Sequence, residues 1–313
     1  MRTLTIFLCL LCAGLLAAMP ARAQEEKKLT FNESLESDGR LVIDTYKGSV
    51  TVTTWDRDEV AVDVRIVADQ TDDLVESTDV KVHRSGRTLR FETDYDEDAW
   101  KHIRKHGILG MFSDGFSQPF VHYEIRMPRT ARLAIDDYKS EIRVTGLQAD
   151  LVIDTYKGDV EVDDLDGSLR LETYKGTGHI AFSRLDDDSS VDTYKGNVTL
   201  VFPGNTGFDL DADLGRRGDL DSDFDLGRDR RHRGRRHHND DDDDDDGDDD
   251  DDDDEYWDDD DDDGDDDDDD DFWDDDDDDD DDDDNVYRGA VNGGGPRLHL
   301  ESYKGRIALR RAR

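Results

Sequence analysis

The chain has almost no cysteine, and its two cysteines, Cys9 and Cys12, both lie close to the first residue. Residues 1–23 carry an early arginine, an apolar stretch and the small residues Ala21 and Ala23, which is the layout of a secretory signal peptide. We therefore expect an exported mature chain without cysteine, in the periplasm, at the cell surface or secreted. Such a chain excludes a disulfide scaffold, a zinc-thiolate site and a cysteine nucleophile. No other apolar run is long enough to span a bilayer, so we expect no membrane span.

Sequence motifs of catalysis are also missing. The chain contains no Gly-x-Ser-x-Gly elbow, no phosphate-binding loop, no His-Glu-x-x-His and no glycine-rich dinucleotide turn. Paired acids such as Asp154 and Glu161 are too abundant to identify the two carboxylates of a glycosidase. The sequence therefore predicts a non-enzymatic protein, with a polysaccharide-acting β-helix enzyme as a remaining alternative.

Basic residues are outnumbered, but the excess of acid is local. The formal charge is −45, and residues 240–284 alone contain 38 Asp and one Glu, so the rest of the chain is nearly balanced. A block of this charge argues against nucleic acid as a partner, because nucleic-acid binding depends on cations that neutralise phosphates. An Arg/His run precedes the acidic block, and we expect residues 228–284 to form a disordered insert, because such segments cannot bury enough apolar area to fold.

The high density of aspartate in this insert favours the binding of hard cations. Carboxylate oxygens are preferred ligands of calcium, and in an exported protein the insert would bind many calcium ions weakly rather than one tightly. Representative ligands of this diffuse site are Asp242, Asp244, Asp246 and Asp253, whose partial match to an EF-hand loop is accidental in a near-homopolymer. We expect no other cofactor. The alternative is a solvated polyanion without specific calcium binding.

Repetition is the strongest signal in the rest of the chain. The tripeptide Tyr-Lys-Gly, once Tyr-Lys-Ser, occurs six times, and its central copies recur every 18 to 20 residues. Each copy follows apolar residues in strict alternation, which predicts two short strands per repeat with a bend at the glycine. The tyrosines of the six copies are Tyr46, Tyr138, Tyr156, Tyr174, Tyr194 and Tyr303.

Units this short must stack in order to bury an apolar face. The sequence therefore predicts an all-β fold, a parallel β-solenoid in which equivalent residues of successive repeats lie on top of one another. Residues 24–227 would form the solenoid, with an irregular loop at about 94–120, and 285–313 its final strands after the insert. The inward positions are Leu133, Ile135, Leu151, Ile153, Val160, Val162, Leu169, Leu171, Val191, Leu298 and Leu300. The opposite face would carry a column of acids, Asp44, Asp136, Asp154, Glu172, Asp192 and Glu301, beside the tyrosines.

The six tyrosines, with Lys157, Lys175 and Lys195 at the bends, form a candidate binding stripe. Stacked aromatic rings between charged columns could bind sugar rings or a partner protein. The same residues are also those expected of a tyrosine ladder and charge columns that only stabilise the stack and keep it soluble.

Several segments carry a family resemblance. Residues 41–52 (Leu-Val-Ile-Asp-Thr-Tyr-Lys-Gly-Ser-Val-Thr-Val), 55–60 and 123–129, with a closing pattern in 220–224 and 289–307, resemble the bacterial putative-adhesin family of β-strand-repeat domains. The resemblance implies an exported β-solenoid of unassigned function. The chain departs from that family in its Tyr-Lys-Gly bends and in the Asp-rich insert.

These observations predict an exported, adhesin-like or envelope-interaction solenoid with a calcium-responsive acidic loop. A cation-sequestering protein that uses the solenoid as a scaffold is the alternative. The expected partners are a cell-surface glycan or protein and calcium, and oligomerisation is possible through the solenoid ends or the opposed charge blocks.

Overall fold

The structure is a computed structural model, which describes residues 26–69, 74–95, 118–226 and 285–312. The secondary structure of these residues consists of twenty β-strands. Within the same ranges, no helix has the length and apolar character needed to cross a bilayer. The predicted irregular loop falls mostly, and the predicted insert entirely, outside the described residues.

The strands follow the alternating stretches of the sequence. In chain order they are β1 (Glu26–Ser34), β2 (Arg40–Asp44), β3 (Lys47–Trp55), β4 (Glu59–Val67), β5 (Thr78–Ser85), β6 (Thr88–Tyr95), β7 (Phe120–Pro128), β8 (Arg132–Asp137), β9 (Lys139–Thr145), β10 (Leu151–Thr155), β11 (Asp159–Gly167), β12 (Leu169–Thr173), β13 (Thr177–Leu185), β14 (Ser189–Thr193), β15 (Asn197–Phe202), β16 (Phe208–Asp213), β17 (Asp219–Ser222), β18 (Val286–Val291), β19 (Arg297–Ser302) and β20 (Arg306–Arg311).

Two ten-stranded sheets face each other across one apolar core. One has the order β1-β4-β7-β3-β9-β11-β13-β15-β20-β17, and the other β18-β16-β19-β14-β12-β10-β8-β2-β6-β5. Each central coil gives one strand to each sheet, and strands of successive coils pair in parallel, as β10 does with β8 and β12. The predicted all-β parallel solenoid is confirmed.

Alternation along each strand determines which side chains fill the core. In β10, Leu151 and Ile153 are fully buried, whereas Val152 between them is half-buried and Asp154, the residue after Ile153, is exposed. In the parallel register Leu151 aligns with Leu133 and Leu169, so each apolar residue packs between its equivalents in the neighbouring coils. All eleven residues predicted to point inward are buried.

Both ends of the stack depart from parallel pairing. At one end β4 pairs antiparallel with β1 and β7, and β5 pairs antiparallel with β6. The β5–β6 hairpin turns at Gly86, as its Ser-Gly pair predicts. At the other end β18 pairs antiparallel with β16.

The coils do not stack in chain order. The pair β2 and β3 lies directly against β8 and β9, although four strands separate them in the sequence. The last two strands, β19 and β20, lie between the β14–β15 coil and the strands β16 and β17. The repeats at the two sequence extremes therefore continue the central array without a gap.

Candidate interaction surface

Four consecutive residues build each bend between the two sheets along one edge of the solenoid. The first points inward and is Thr, Ser or Asp, the second is the repeat tyrosine, the third is lysine and the fourth is Gly or Ser. The N–H of Gly196 donates to the Thr193 hydroxyl at 2.8 Å, and the N–H of Gly305 donates to the Ser302 hydroxyl at 2.9 Å. These side-chain to backbone bonds fix the bend locally, as in other Ser/Thr turns.

One bend replaces the inward hydroxyl with a buried carboxylate. Asp137 accepts the N–H of Ser140 at 2.7 Å and the Ser140 hydroxyl at 2.5 Å, and it accepts the Thr155 hydroxyl of the next coil at 3.0 Å. Burial raises the pKa of Asp137, while these hydrogen bonds act to lower it. The exchange of Thr-Tyr-Lys-Gly for Asp-Tyr-Lys-Ser thus keeps the same bend with a different set of bonds.

Glycine at the fourth position follows from close packing between coils. At Gly176 the backbone has φ 138°, and a Cβ atom there would lie 2.1 Å from the carbonyl oxygen of Gly158. The bends are also joined to one another, since the N–H of Lys175 donates to the carbonyl of Tyr156 at 2.9 Å. The tyrosine and lysine side chains are therefore held on a rigid frame.

The six repeat tyrosines form one continuous stack, the tyrosine ladder. Successive ring centroids are 4.6, 4.9, 4.7, 4.7 and 4.9 Å apart, and the ring planes differ by at most 13°. Tyr95 meets Tyr46 edge-on at one end of the ladder. Because neighbouring rings cover one another, sugar rings cannot lie on the faces of the inner tyrosines. The inner rings offer a ligand only their edges and hydroxyl groups.

A row of ammonium groups accompanies the ladder. The lysine row is Lys139, Lys157, Lys175, Lys195 and Lys304. The Nζ atoms of the last four lie 5.1–5.5 Å from the centroid of the preceding tyrosine ring. Within the described part of the chain, no lysine of this row forms an ion pair.

Lys47 occupies the equivalent position in its bend but does not join the row. Its side chain is buried, with Nζ 2.6 Å from Asp69 and 4.2 Å from the centroid of Phe120. The Tyr-Lys-Gly tripeptide alone would place Lys47 at the surface beside its tyrosine like the other lysines, and the structure shows it buried instead. Strand β7, which pairs with β3, brings Phe120 to this bend.

Carboxylates line the other side of the ladder. The predicted column of six acids is in register across the sheet, and Glu92 and Asp213 extend it at its two ends. Burial, and then the neighbouring carboxylates, raise the pKa of the acids at three central positions, Asp136, Asp154 and Asp192. We call these eight residues the carboxylate row. Within the described residues they form no group arranged to hold a metal ion.

Bases beside the carboxylate row neutralise part of it. Arg90 contacts Asp44, Arg170 Nε lies 2.9 Å from Glu172, and His299 Nε2 lies 3.0 Å from Glu301. Asp136, Asp154 and Asp192 form no ion pair within the described chain. Among the described residues, carboxylates without an ion pair therefore lie on one side of the ladder, and ammonium groups without an ion pair lie on the other.

The structure brings together the tyrosines and lysines of the predicted stripe in one surface, whereas Asp242, Asp244, Asp246 and Asp253 lie outside the described residues. Sequence reasoning did not identify the inward hydroxyls, the exception at Lys47, or Glu92 and Asp213. The Thr or Ser before each Tyr-Lys-Gly was the available signal for the hydroxyls. The Tyr-Lys-Gly tripeptide does not follow Glu92 or Asp213, but Leu-Arg-Phe-Glu-Thr at 89–93 matches Leu-Arg-Leu-Glu-Thr at 169–173, which was the available signal for Glu92.

Comparisons with known proteins give a family and several similar structures. The profile of the family described as Toastrack DUF4097 matches residues 20–247. No curated protein matches the chain. The chain is similar to the crystal structure of a putative cell adhesion protein from Clostridium sporogenes ATCC 15579, with 9% identity, a TM-score of 0.44 and coverage of 91% of this chain and 100% of that one.

Two further crystal structures are similar. One is a putative adhesin from Bacteroides fragilis NCTC 9343, with 10% identity, a TM-score of 0.31 and coverage of 91% of this chain and 97% of that one. The other is a putative adhesin from Parabacteroides merdae ATCC 43184, with 10% identity, a TM-score of 0.23 and coverage of 63% of this chain and 83% of that one. The family profile covers well over half of the present chain.

Proposed function

This chain belongs to the Toastrack DUF4097 family, and from that premise we propose that it is an exported, non-enzymatic module for adhesion or envelope interaction. Its contact surface is the tyrosine ladder with the lysine row, and its partner is a glycan or protein of the cell surface. The observation that carries the proposal is the combination of exposed tyrosine edges and five ammonium groups on one rigid edge that form no ion pair with the described residues.

A surface of this kind supports binding for two physical reasons. The backbone is ordered by the bends and the tyrosine rings by stacking, so the binding free energy lost to ordering the protein is confined to the lysine side chains. Tyrosine also combines apolar ring area with a hydroxyl that donates and accepts hydrogen bonds, which suits it to contact surfaces. The repeated spacing further favours a partner that is itself repetitive, because each coil then adds the same contact.

The test is binding of the purified protein to an array of glycans and to whole cells, compared between matched variants. Tyr156→Ala with Tyr174→Ala should abolish saturable binding, and Lys157→Ala with Lys175→Ala should weaken it. Lys28→Ala, at an exposed position of β1 away from this edge, is the control and should bind normally. Circular dichroism must show that each variant is folded. Absence of wild-type binding to every glycan and cell surface would overturn the proposal.

The acidic segment supports a second role. We propose that residues 228–284 make the protein responsive to calcium, because 38 aspartates among the 45 residues of 240–284 attract hard cations. In the extreme case this segment makes the protein a cation-sequestering protein. Small-angle scattering during calcium titration should then show compaction or association of the full chain but not of a form without this segment. Identical behaviour of both forms at millimolar calcium would contradict a calcium role.

A further inference from the structure

Three parallel rows of different character run along the same edge of the solenoid. In a typical coil Asp154 is in the carboxylate row, Tyr156 in the tyrosine ladder and Lys157 in the lysine row. The order is the same in every coil that contributes to all three rows, so the edge carries a negative stripe and a positive stripe on either side of a neutral one. Both charged stripes repeat with the strand spacing, which is about 4.8 Å.

The lysine row is distinct from the other lysines of the described chain. Lys27, Lys28, Lys47 and Lys81 each lie within 4.0 Å of a carboxylate. The five lysines of the row do not, and within the described chain Asp136, Asp154 and Asp192 likewise form no ion pair, although Arg90, Arg170 and His299 act on these acids at longer range. The surface thus keeps five lysines and three carboxylates that have no ion-pair partner in the described part of the chain.

Charge on both sides of the ladder restricts what can bind across the whole edge. A purely anionic polymer on the lysine row is repelled by the carboxylate row, because the rows lie only three residues apart in each coil, comparable with the Debye length of about 8 Å at physiological ionic strength. A purely cationic polymer on the carboxylate row is repelled by the lysine row in the same way. A fully complementary partner carries both signs, in two rows, with the same repeat along the solenoid axis.

A second copy of this chain meets all of these conditions. We propose that two copies associate side by side through this edge with their solenoid axes parallel, so that the carboxylate row of each faces the lysine row of the other. This inference rests on the proposed function, since it names a partner for the same contact surface.

Symmetry determines the relative direction of the two copies. A two-fold axis parallel to the solenoid axis exchanges the two sides of the edge, and acids then oppose lysines while tyrosines oppose tyrosines. A two-fold axis across the edge reverses one solenoid and places like charges opposite each other, which is unfavourable. The charge pattern therefore selects the parallel arrangement.

The expected association is weak for one protein molecule in solution. Six tyrosine positions at about 4.8 Å span only about 24 Å. A narrow strip of that length buries much less area than the roughly 800 Å² per partner of a standard stable interface. Exposed ion pairs also contribute little each and are screened by salt. The contact consequently becomes important at high local density, as on a surface, where several weak contacts act together.

The test uses two charge-reversed proteins. The all-acidic variant is Lys157→Glu, Lys175→Glu and Lys195→Glu, and the all-basic variant is Asp154→Lys, Glu172→Lys and Asp192→Lys. Sedimentation velocity over a concentration series at low and physiological salt measures self-association of each and of their equimolar mixture. The Asp-rich segment is common to all the proteins but attracts added lysines, so the series is repeated without residues 228–284 to separate its effect.

Each variant alone should associate at least tenfold more weakly than the wild type, because like charges then face each other. The mixture should associate at least tenfold more tightly than either variant, because one copy then offers two negative rows and the other two positive rows. A control with Lys28→Glu, Arg57→Glu and Arg87→Glu, all highly exposed and away from this edge, should behave as the wild type does. A mixture that associates no better than its folded components overturns the inference.

Spin labels distinguish the two directions. Cysteines replace Arg132 or Arg297, two exposed residues four coils apart in the same sheet, in protein expressed from residue 24, which has no cysteine of its own. Parallel association predicts a shorter distance for identical label pairs than for mixed pairs, and the reverse result overturns it. If the charge-reversed mixture fails to associate but glycan or cell binding still depends on Tyr156 and Tyr174, this inference fails and the proposed function stands.

Discussion

Tyr194 stacks on Tyr303 with ring centroids 4.9 Å apart, although the whole Asp-rich segment lies between them in the sequence. The contact exists because β19 and β20 lie directly against β14 and β15 rather than at the end of the stack. The tyrosine ladder is therefore a property of the folded coils and not of neighbouring repeats in the chain.

The first prediction concerns the position of a tyrosine in the ladder. Tyr174 stacks on two neighbours at 4.7 Å and Tyr303 on one at 4.9 Å. Each aromatic pair contributes about 0.5–1.5 kcal/mol beyond area burial. Tyr174→Ala should therefore lower the free energy of unfolding by about twice as much as Tyr303→Ala does, as measured by urea denaturation. Tyr174→Phe keeps the ring and should be close to the wild type, and equal losses at both positions would contradict the ladder as a stabilising unit.

The second prediction tests the glycine of the bend. Gly176→Ala places a Cβ atom 2.1 Å from the Gly158 carbonyl oxygen at φ 138°, so it must displace the adjacent coil. Backbone strain of this kind costs about 1–3 kcal/mol before the displacement is counted, and Tm should fall clearly. Gly204→Ala is the matched control, because a Cβ there meets nothing within 4 Å. A Gly176→Ala protein as stable as the Gly204→Ala protein would show that the coils do not approach this closely.

Asp137 provides the third prediction. Asp137→Ala leaves the Ser140 N–H and the Thr155 hydroxyl without their acceptor in a buried bend, and unsatisfied buried groups cost about 1–3 kcal/mol each. The single variant should be strongly destabilised in chemical denaturation. The double variant Asp137→Thr with Ser140→Gly recreates the bend of the other coils and should recover most of the stability. Failure of the double variant to recover would mean that the two bend types are not interchangeable.

Much of the fold was predictable because alternation alone determines which residues are buried. Leu151 and Ile153 could be placed inward from period-2 spacing, and the tyrosines could be placed in one column from the repeat of 18 to 20 residues. The order of the coils could not be predicted, since nothing local in β2 or β19 identifies the strand beside it.

The regular part of the candidate site was also predictable from the sequence. Tyr156, Tyr174 and Lys157 follow directly from the repeated tripeptide, and the structure places them together. Lys47 has the same tripeptide yet is buried, because its surroundings come from Asp69 and Phe120, which are remote in sequence. The local sequence pattern thus predicts the position of a side chain where regular coils lie on both sides. It fails where contacts from residues remote in sequence take the place of a neighbouring coil.

The last prediction concerns pH and separates the two kinds of carboxylate. Burial, with the charge of Glu172, raises the pKa of Asp154, whereas hydrogen bonding to Arg288 lowers the pKa of Asp211. As pH falls, folded protein protonates Asp154 before unfolded protein does, so this group adds stability as pH drops through its folded pKa. Asp211 changes stability with pH in the opposite direction, because the unfolded protein protonates it at a higher pH than the folded protein does. Its stabilising effect at neutral pH is therefore lost in acid.

Asp154→Asn should consequently raise Tm at pH 7, with the gain shrinking towards zero below the ordinary pKa of 3.8. Asp211→Asn should lower Tm at pH 7, with the loss also shrinking in acid. Thermal denaturation of both variants and the wild type between pH 3 and 8 measures the two differences directly. Because both substitutions remove one negative charge, a general effect of net charge would move both in the same direction. Opposite signs at pH 7 are therefore the specific signature of crowded acids in the carboxylate row, and equal signs would contradict it.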